Sequence, residues 1–430
     1  MRLQSAIKQM VTPGVYRLAH PLQTYTKALT ALRKLDSTVH VRYVIDELDS
    51  GLSAMYPRAI ILHGSSRDND AVAWGKGVTP IASACSGLME FLEAQSKTSQ
   101  LEQIFHRDDL RDILDMVPQM QELELPEQLQ GLRSALVPPT PFRIKSTRAI
   151  DKDPRAIAVF RIDKDVLSPI PLYFSFSFFK GLLGGQYLPD TPCIDTFWRG
   201  MPINYGDGAG NTYEEAIYHS IIEVVELMLE QTILKYKIPV HRLDLSSIDN
   251  PLIQQLLVTF LEAQIPIDLS DWSWRLGIPA IAVTYWDPNI GKLYYKLGTG
   301  SSPEEAAQRA LTEFIQTFGP QRARDNYDAD MYLISQLRHN ESIRFSNTDI
   351  RWQDLITLYD NDIAVEIQRM LDRIRAATGL GAYVKDWTHP TLEFPITQVF
   401  FIDGDYHHNQ IIDSDQIVSG SGVDACHLEL

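Results

Sequence analysis

The sequence predicts an α/β or α+β protein that arose by internal duplication. Helical patterns alternate with strand-like runs along the chain. One pattern occurs three times without gaps, at 75–94, 208–227 and 298–317, and we call these segments the first, second and third repeat copies. A second echo relates 271–283 to 386–399, since each has Asp-Trp-Ser/Thr, a loop and a Pro-led strand.

The N-terminal region is expected to hold one helix and two strands ahead of the first repeated helix. Apolar spacing predicts the helix over 22–35 and strands over 39–45 and 58–64. The first repeated helix is expected at about 79–95.

The rest of the chain divides by composition into three further parts. Residues 96–150 are polar and helical and are then interrupted by "VPPTPF", so we predict an inserted helical subdomain with a linker. Residues 1–95 and 151–403 would form the main domain, and 404–430 a polar, loosely ordered tail. The elements expected within 151–403 are strands at 156–163, 172–179, 240–246, 265–272, 278–286, 292–298 and 394–403, helices at 213–236 and 303–318, and a largely helical stretch at 320–378.

Composition excludes several classes of function. The 430 residues carry a net charge of −16, so no basic surface indicates binding to nucleic acid. The three cysteines have neither metal-ligand spacing nor a disulfide pattern. No secretory signal or membrane-length apolar run occurs, so we expect a reduced, cytoplasmic protein that does not bind membranes.

Each repeat copy begins with glycines and a helix cap. Thr79, Thr212 and Ser302 are placed as N-caps. Glu215 and Glu305 are expected to complete capping boxes with the second and third of these. These features explain the start of the pattern without any function.

Paired carboxylates inside apolar helices are the feature that indicates a site. Glu90 and Glu93 of the first copy align with Glu223 and Glu226 of the second. In the third copy, Glu313 aligns with Glu90 and Glu223. Carboxylates three residues apart share a helix face, and at an effective dielectric of ~20 two such charges repel by about 3 kcal/mol. Such pairs in charge-poor helices call for a compensating cation, although a glutamate pair on a single helix more often simply faces water.

One stripe on each repeated helix collects these polar groups. The stripe comprises Ala82, Ser86, Glu90 and Glu93 in the first helix, Glu215, His219, Glu223 and Glu226 in the second, and Glu305, Arg309, Glu313 and Gln316 in the third. Carboxylate oxygens suit Mg²⁺, which commonly bridges to nucleotide phosphates. Lys76 and Arg309 could balance phosphate charge. Trp272, Trp387 and Cys85 are expected to be packing residues.

These motifs resemble the three ATP-binding motifs of YcaO-domain proteins. The resemblance rests on "GKG…SGLMEFLE", "GAGNTYEEAI…EVVE", "RALTEFIQ" and the later "DWTHPTLEFPITQVFF", and it covers about 20–95 and 195–402. It implies a YcaO-like fold in which the repeated helix-strand units surround a central site for ATP and Mg²⁺. Two departures are Ala94 and Leu227, where the family often has arginine.

The resemblance also implies roles for individual residues. The expected ATP-binding residues are Lys76, Ser86, Glu90, Asn211, Glu215, Glu226, Arg309 and Gln316. The expected metal ligands are Glu90, Glu93, Glu223, Glu226 and Glu313, and no side chain is assigned as catalytic.

The implied activity is ATP-dependent modification of a peptide backbone in a ribosomally made peptide or protein. A side-chain nucleophile would give an azoline, and external sulfide would give a thioamide. The sequence ends in "DACHLEL" rather than in the Pro-x-Pro-x-Pro of many azoline-forming members, which favours the thioamide. The implied partners are the peptide and a TfuA-like or leader-peptide-binding protein, and a homodimer is left open. Two alternatives remain: a YcaO-like peptide- or nucleotide-binding scaffold without turnover, and a different ATP-dependent ligase or kinase.

Overall fold

A computed structural model provides the three-dimensional description of the chain. It describes residues 3–35, 40–44, 59–63, 71–104, 157–161, 167–170, 206–288, 291–317, 338–339, 343–378 and 380–403. The predicted strand at 172–179, nearly all of the predicted 96–150 insert and the whole 404–430 tail lie outside these residues.

Helices and strands alternate as the sequence pattern predicts, with these bounds. The helices are α1 Pro21–Leu35, α2 Pro80–Ile104, α3 Tyr213–Tyr236, α4 Pro251–Glu262, α5 Pro303–Thr317 and α6 Ile363–Thr378. The strands are β1 Gln9–Thr12, β2 Val15–Arg17, β3 His40–Val44, β4 Ala59–His63, β5 Ala71–Trp74, β6 Ile157–Arg161, β7 Leu167–Ile170, β8 Asp207–Ala209, β9 Pro239–Arg242, β10 Ile267–Asp271, β11 Ala280–Asp287, β12 Lys292–Thr299, β13 Arg338–His339, β14 Arg344–Phe345, β15 Leu380–Asp386 and β16 Ile396–Asp403.

The strands form two large sheets and two small ones. The six-stranded sheet has the order β13-β12-β11-β10-β9-β14, and the five-stranded sheet has the order β7-β6-β15-β16-β8. Strands β3, β4 and β5 form a third sheet, and β1 pairs with β2. Pairing is antiparallel except between β9 and β14. This mixture of helices with mostly antiparallel sheets confirms the predicted α/β or α+β class.

All three repeat copies have the same local structure: a strand, a glycine and then a helix. A Cβ atom on Gly208 would lie 2.3 Å from the carbonyl oxygen of Ala216. Cβ atoms on Gly75 and Gly298 would lie 1.9 and 2.4 Å from the carbonyl oxygens of Ser83 and Ala306, which are also eight positions later. Each glycine therefore lets the end of its strand pack directly on the backbone of its own helix.

The Asp-Trp echo is a second duplicated structure. The main-chain N–H of Trp272 donates to the carbonyl of Ala280 at 2.8 Å, and that of Trp387 donates to the carbonyl of Ile396 at 2.8 Å. Both indole rings are fully buried, which confirms that these tryptophans are core residues.

The echo and the repeat copies belong to one unit. The carbonyl of Pro279 accepts the N–H of Gly300 at 3.1 Å, and the carbonyl of Pro395 accepts the N–H of Gly210 at 3.0 Å. The Pro-led strands β11 and β16 thus pair with the strands that lead into α5 and α3.

Helix α3 packs in the larger of the two hydrophobic cores that the described residues form. Its apolar side chains, including the fully buried Ile221 and Val225, pack with residues of β11, β12, β15, β16 and α6. Helix α5 contributes to a second core together with α4, β10 and β11. Burial of α3 on most sides agrees with its nearly continuous apolar sequence.

Some predicted element boundaries were wrong. Helix α2 runs to Ile104 rather than to about residue 95, so it continues into the segment assigned to the insert. The predicted helical stretch at 320–378 contains strand β14 and a 3₁₀ turn at Trp352–Asp354 before α6. Within the described ranges, the helices are too short or too polar for any of them to cross a bilayer.

Candidate functional site

The N-caps predicted for the three repeat helices are present. The hydroxyl groups of Thr79, Thr212 and Ser302 each accept the backbone N–H of the residue three positions later, at 3.2, 3.3 and 3.2 Å. Each cap satisfies one of the free N–H groups of its helix and fixes where the helix begins.

The capping boxes predicted for Glu215 and Glu305 were wrong in one detail. Each carboxylate accepts the N–H of the residue before the cap rather than that of the cap itself. Glu215 Oε2 accepts the main-chain N–H of Asn211 at 2.7 Å, and Glu305 Oε2 accepts that of Ser301 at 3.3 Å. The side-chain amide of Asn211 also donates to Glu215 Oε2 at 2.7 Å, which draws this carboxylate toward the preceding loop.

Basic and acidic side chains from all three repeat copies meet between α3 and α5. The guanidinium of Arg309 on α5 forms an ion pair with Glu223 on α3. The ammonium of Lys76, from the loop before α2, forms an ion pair with Glu313 on α5. Lys296 on β12 reaches the other oxygen of Glu313 at 3.3 Å. We call these residues, together with Glu226, the acidic cluster. The stripes of α3 and α5 therefore meet here, whereas the first copy contributes Lys76, which lies outside its own stripe.

Glu226 is the least satisfied member of the acidic cluster. Its Oε2 atom is buried and has no hydrogen-bond partner. Burial and, after it, the negative charges of Glu313 and Glu223 raise the pKa of Glu226 to about 8. The Nε of Arg309 is likewise buried without a partner. Unpaired buried polar atoms are costly, so this arrangement favours a ligand that supplies both a cation and hydrogen-bond acceptors.

Glu313, unlike Glu226, has a lowered pKa and is held in its ionised form. Burial alone would raise its pKa, but the two lysine ammonium groups and Arg309 lower the pKa to about 2. Burial would lower the pKa of Lys76, but the attraction of Glu313, together with that of Glu223 and Glu226, raises it. Glu313 therefore stays ionised at every physiological pH, while its neighbour Glu226 takes up a proton near neutrality.

The N-terminal strand β2 supplies a cation to the neighbouring part of the stripe. Arg17 Nη1 lies 2.7 Å from Glu305 Oε1. The hydroxyl of Tyr218 donates to the other oxygen of Glu305, and the N–H of Ser301 donates to this hydroxyl at 2.9 Å. Burial would raise the pKa of Glu305, but Arg17 and the Tyr218 hydrogen bond lower it to about 2.

His219 lies on α3 between Glu215 and Glu223, as the stripe predicts. Its Nδ1 is 3.0 Å from the carbonyl oxygen of Ala209, and its Nε2 is buried without a partner. Burial and then the positive charge of Arg17 lower the pKa of this imidazole, so the neutral ring is favoured.

The first repeat helix, α2, is less buried than its apolar sequence indicates. Glu90 is exposed and Glu93 is half-buried, whereas Leu88 and Leu92 are fully buried. Two residues along a helix correspond to about 200°, so Glu90 faces away from the side that these leucines bury. Cys85, by contrast, is buried as expected, and burial raises the pKa of its thiol to about 12.

The other side chains predicted to contact the nucleotide lie in different surroundings. Ser86 and Gln316 are half-buried on the stripes of α2 and α5. The side-chain amide of Asn211 is engaged by Glu215 and by the hydroxyl of Thr24, at 2.7 and 2.8 Å. The assignment of these side chains to nucleotide or metal therefore stays a prediction.

The carboxylates of the acidic cluster are held by basic side chains. Among the residues that the structure describes, no three His, Cys, Asp or Glu side chains are grouped so as to hold one metal ion. Glu223 points to Arg309, and Glu313 points to the two lysines. The carboxylates still fit Mg²⁺ by ligand type, since a hard cation takes oxygen ligands and Glu226 Oε2 lacks a partner.

Sequence reasoning missed two residues of this region, Lys296 and Arg17. Lys296 lies inside a strand whose pattern indicated only a core strand. Arg17 lies in an N-terminal hairpin for which no element was predicted. Neither belongs to a repeated motif, so only the folded chain brings them to the stripe.

Comparison with known proteins identifies the architecture. The profile of a family described as YcaO cyclodehydratase, ATP- and Mg²⁺-binding, matches residues 200–401. A solved structure described as a heterocyclase in complex with substrate and cofactor has a TM-score of 0.62 at 19% identity, covering 93% of this chain and 54% of that chain. The structure of YcaO from Methanopyrus kandleri, bound with AMPPCP and Mg²⁺, has a TM-score of 0.58 at 16% identity, covering 91% of this chain and 94% of that chain.

Sequence comparison with individual relatives matches a smaller part of the chain than the structural comparison does. An uncharacterized protein of Methanothermobacter thermautotrophicus is 31% identical over 134 residues, which is 30% of this chain. The match spans only about a third of that relative, 34% of its length. The structural matches, at these identities, establish the shared fold.

Proposed function

We propose that this chain, whose residues 200–401 match the YcaO family profile, is an ATP- and Mg²⁺-dependent enzyme that activates a peptide backbone amide. The product is a thioamide or an azoline in a ribosomally made peptide or protein. The oxygen of an amide is a poor leaving group, so an enzyme that replaces it must first convert it into a better one.

The acidic cluster carries this proposal. Carboxylates on α3 and α5 pair with the basic side chains of Lys76, Lys296 and Arg309. A site with both signs of charge suits a metal ion together with phosphates better than either one alone.

When bound, ATP would supply the phosphoryl group that makes the amide oxygen a leaving group, and Mg²⁺ would offset the phosphate charge. The residues that would hold the metal are Glu223, Glu226 and Glu313, with Glu90 and Glu93 of α2 as the predicted further ligands. Arg309 and Lys76 would bind and orient phosphate oxygens. Catalysis would then rest on positioning and electrostatic complementarity.

The product depends on which nucleophile adds to the amide carbonyl. A neighbouring Cys, Ser or Thr side chain of the substrate would leave an azoline after loss of water. External sulfide would leave a thioamide after exchange of oxygen for sulfur. Both routes need the same activation step, and the acidic cluster is compatible with either.

The decisive experiment combines turnover with product mass. Purified protein, Mg²⁺-ATP and a candidate peptide should release ADP and phosphate, and Glu223→Gln should abolish the release. Mass spectrometry of a co-expressed peptide then separates loss of water from oxygen-to-sulfur exchange. Release that is absent from the wild type with every peptide and sulfide combination would contradict the proposal.

A binding scaffold without turnover is the second candidate. Leu227, which follows Glu226, is buried and apolar, so it offers no charge at a place where the family often has arginine. Calorimetry distinguishes the two, because tight nucleotide binding without hydrolysis would favour the scaffold.

The partners and the location are part of the same proposal. The substrate is a peptide or protein, and a TfuA-like or leader-peptide-binding protein would present it. A cytoplasmic location would place the enzyme with ATP and newly made peptides, and a homodimer is compatible with it.

A further inference from the structure

Lys296 is the one basic residue of the acidic cluster that the repeated motifs do not explain. It lies on β12, two residues before Gly298. The equivalent positions in the first and second copies are Ala73 and Gly206. The lysine is thus specific to the third copy, and neither repeat geometry nor helix capping accounts for it.

The placement of Lys296 requires a charged partner. The side chain is only 14% exposed, while its strand neighbours Tyr295 and Leu297 are core residues. A lysine in such a position is normally tolerated only when an acidic group compensates its charge. Glu313 does so, with Lys296 Nζ 3.3 Å from Oε1 and Lys76 at Oε2.

Two lysines on one carboxylate change what the cluster can bind. Three basic side chains already pair with two of the cluster's carboxylates, Glu313 and Glu223, without any ligand. A bare Mg²⁺ ion would have to approach Glu313 against both ammonium groups. A nucleotide that brings phosphates gives those ammonium groups new anionic partners and frees the carboxylate for the metal.

We propose that Lys296 is a positioning residue that couples metal binding to nucleotide binding. It holds Glu313 in place before ligands arrive, and its ammonium group pairs with a phosphate instead of Glu313 when Mg²⁺ and nucleotide bind together. The coupling makes the site weak for the free metal ion and strong for the metal-nucleotide complex. This inference rests on the proposed function and adds to it a residue outside the predicted set.

Removal of the Lys296 charge should change the two affinities in opposite directions. In Lys296→Met, free Mg²⁺ should bind several-fold more tightly, because one repelling charge is gone, and Mg²⁺ with a nonhydrolysable ATP analogue should bind about tenfold more weakly. Lys296→Arg keeps the charge and should stay close to the wild type. A lysine that only stabilises the fold would lower the melting temperature without this opposite response.

Calorimetric titrations of the full chain make the test. Free Mg²⁺ and the Mg²⁺-saturated analogue are titrated separately into the wild type and each variant. Lys34→Met is the matched control, because Lys34 is 49% exposed and pairs with the exposed Glu393. Lys296→Gln keeps a hydrogen-bond donor without the charge and should reproduce the methionine result if the methionine variant is unstable.

The possible results distinguish the role of Lys296 from the proposed function of the whole site. Unchanged affinity for the metal-nucleotide complex in both neutral variants, or a shift of both affinities in the same direction, overturns the role of Lys296 alone. A wild type that binds no metal-nucleotide complex overturns the proposed function, and the coupling with it.

Discussion

Replacement of Arg17 by methionine tests how the N-terminal hairpin stabilises the repeat helices. Burial would raise the pKa of Glu305, but Arg17, a hydrogen bond from Tyr218 and the charges of Lys8 and Arg309 together lower it from its ordinary value of 4.5 to about 2. At about 1.36 kcal/mol per pKa unit, the ionised form of this carboxylate stabilises the fold by about 3 kcal/mol. The pKa is lowered in the fold, so this contribution is complete above about pH 5 and is lost as pH falls toward 2.

Arg17→Met leaves Glu305 buried without its cation, so burial should raise its pKa. The variant should unfold more easily than the wild type by about 2–3 kcal/mol at pH 7, and the difference should shrink toward pH 3 as the carboxyl takes up a proton. Urea unfolding followed by tryptophan fluorescence measures this difference at both pH values.

A double-mutant cycle with Glu305→Gln provides the control for this prediction. The coupling free energy between the two substitutions should be about 2 kcal/mol at pH 7. A coupling near zero, or a loss of stability that is the same at both pH values, would mean that Arg17 does not stabilise the fold through ionised Glu305.

Two further predictions concern residues of the repeat copies. In metal-free protein the wild type should lose stability as pH rises from about 5 through 8, because the pKa of Glu226 is raised to about 8 in the fold, and Glu226→Gln should remove most of this loss in thermal melts across that range. Gly208→Ala should lower the free energy of unfolding by about 2 kcal/mol or more, because its Cβ would lie 2.3 Å from the carbonyl oxygen of Ala216. Gly291→Ala is the comparison for the glycine variant, since nothing lies within 4 Å of its Cβ and only backbone strain at its φ of +65° should appear.

The repeated units could be predicted because their signals are local. Glycine spacing, cap residues and apolar period place the starts of α2, α3 and α5 correctly, and the bounds of α3 agree with the predicted 213–236. The ion pair between the stripes of α3 and α5 also agrees with the repeated pattern, which marks equivalent faces in these two copies.

The rest of the site depends on contacts between segments distant in sequence. Arg17 meets Glu305 across 288 positions of sequence, and no local pattern encodes such a pairing. Lys296 looked like part of an ordinary strand because its partner, Glu313, comes from the next helix. Glu90 lies on the exposed side of α2, opposite the buried Leu88 and Leu92, and an apolar-rich sequence does not by itself show which side of a helix is buried.

We propose that acidic residues from different repeat copies form one site for Mg²⁺ and nucleotide. The most direct test is calorimetric titration of a Mg²⁺-saturated, nonhydrolysable ATP analogue into the wild type, Glu223→Gln and Glu313→Gln, with the exposed Glu393→Gln as control. We expect both cluster variants to bind at least about tenfold more weakly while the control binds like the wild type. Wild-type affinity in either cluster variant would mean that α3 and α5 do not share one ligand site.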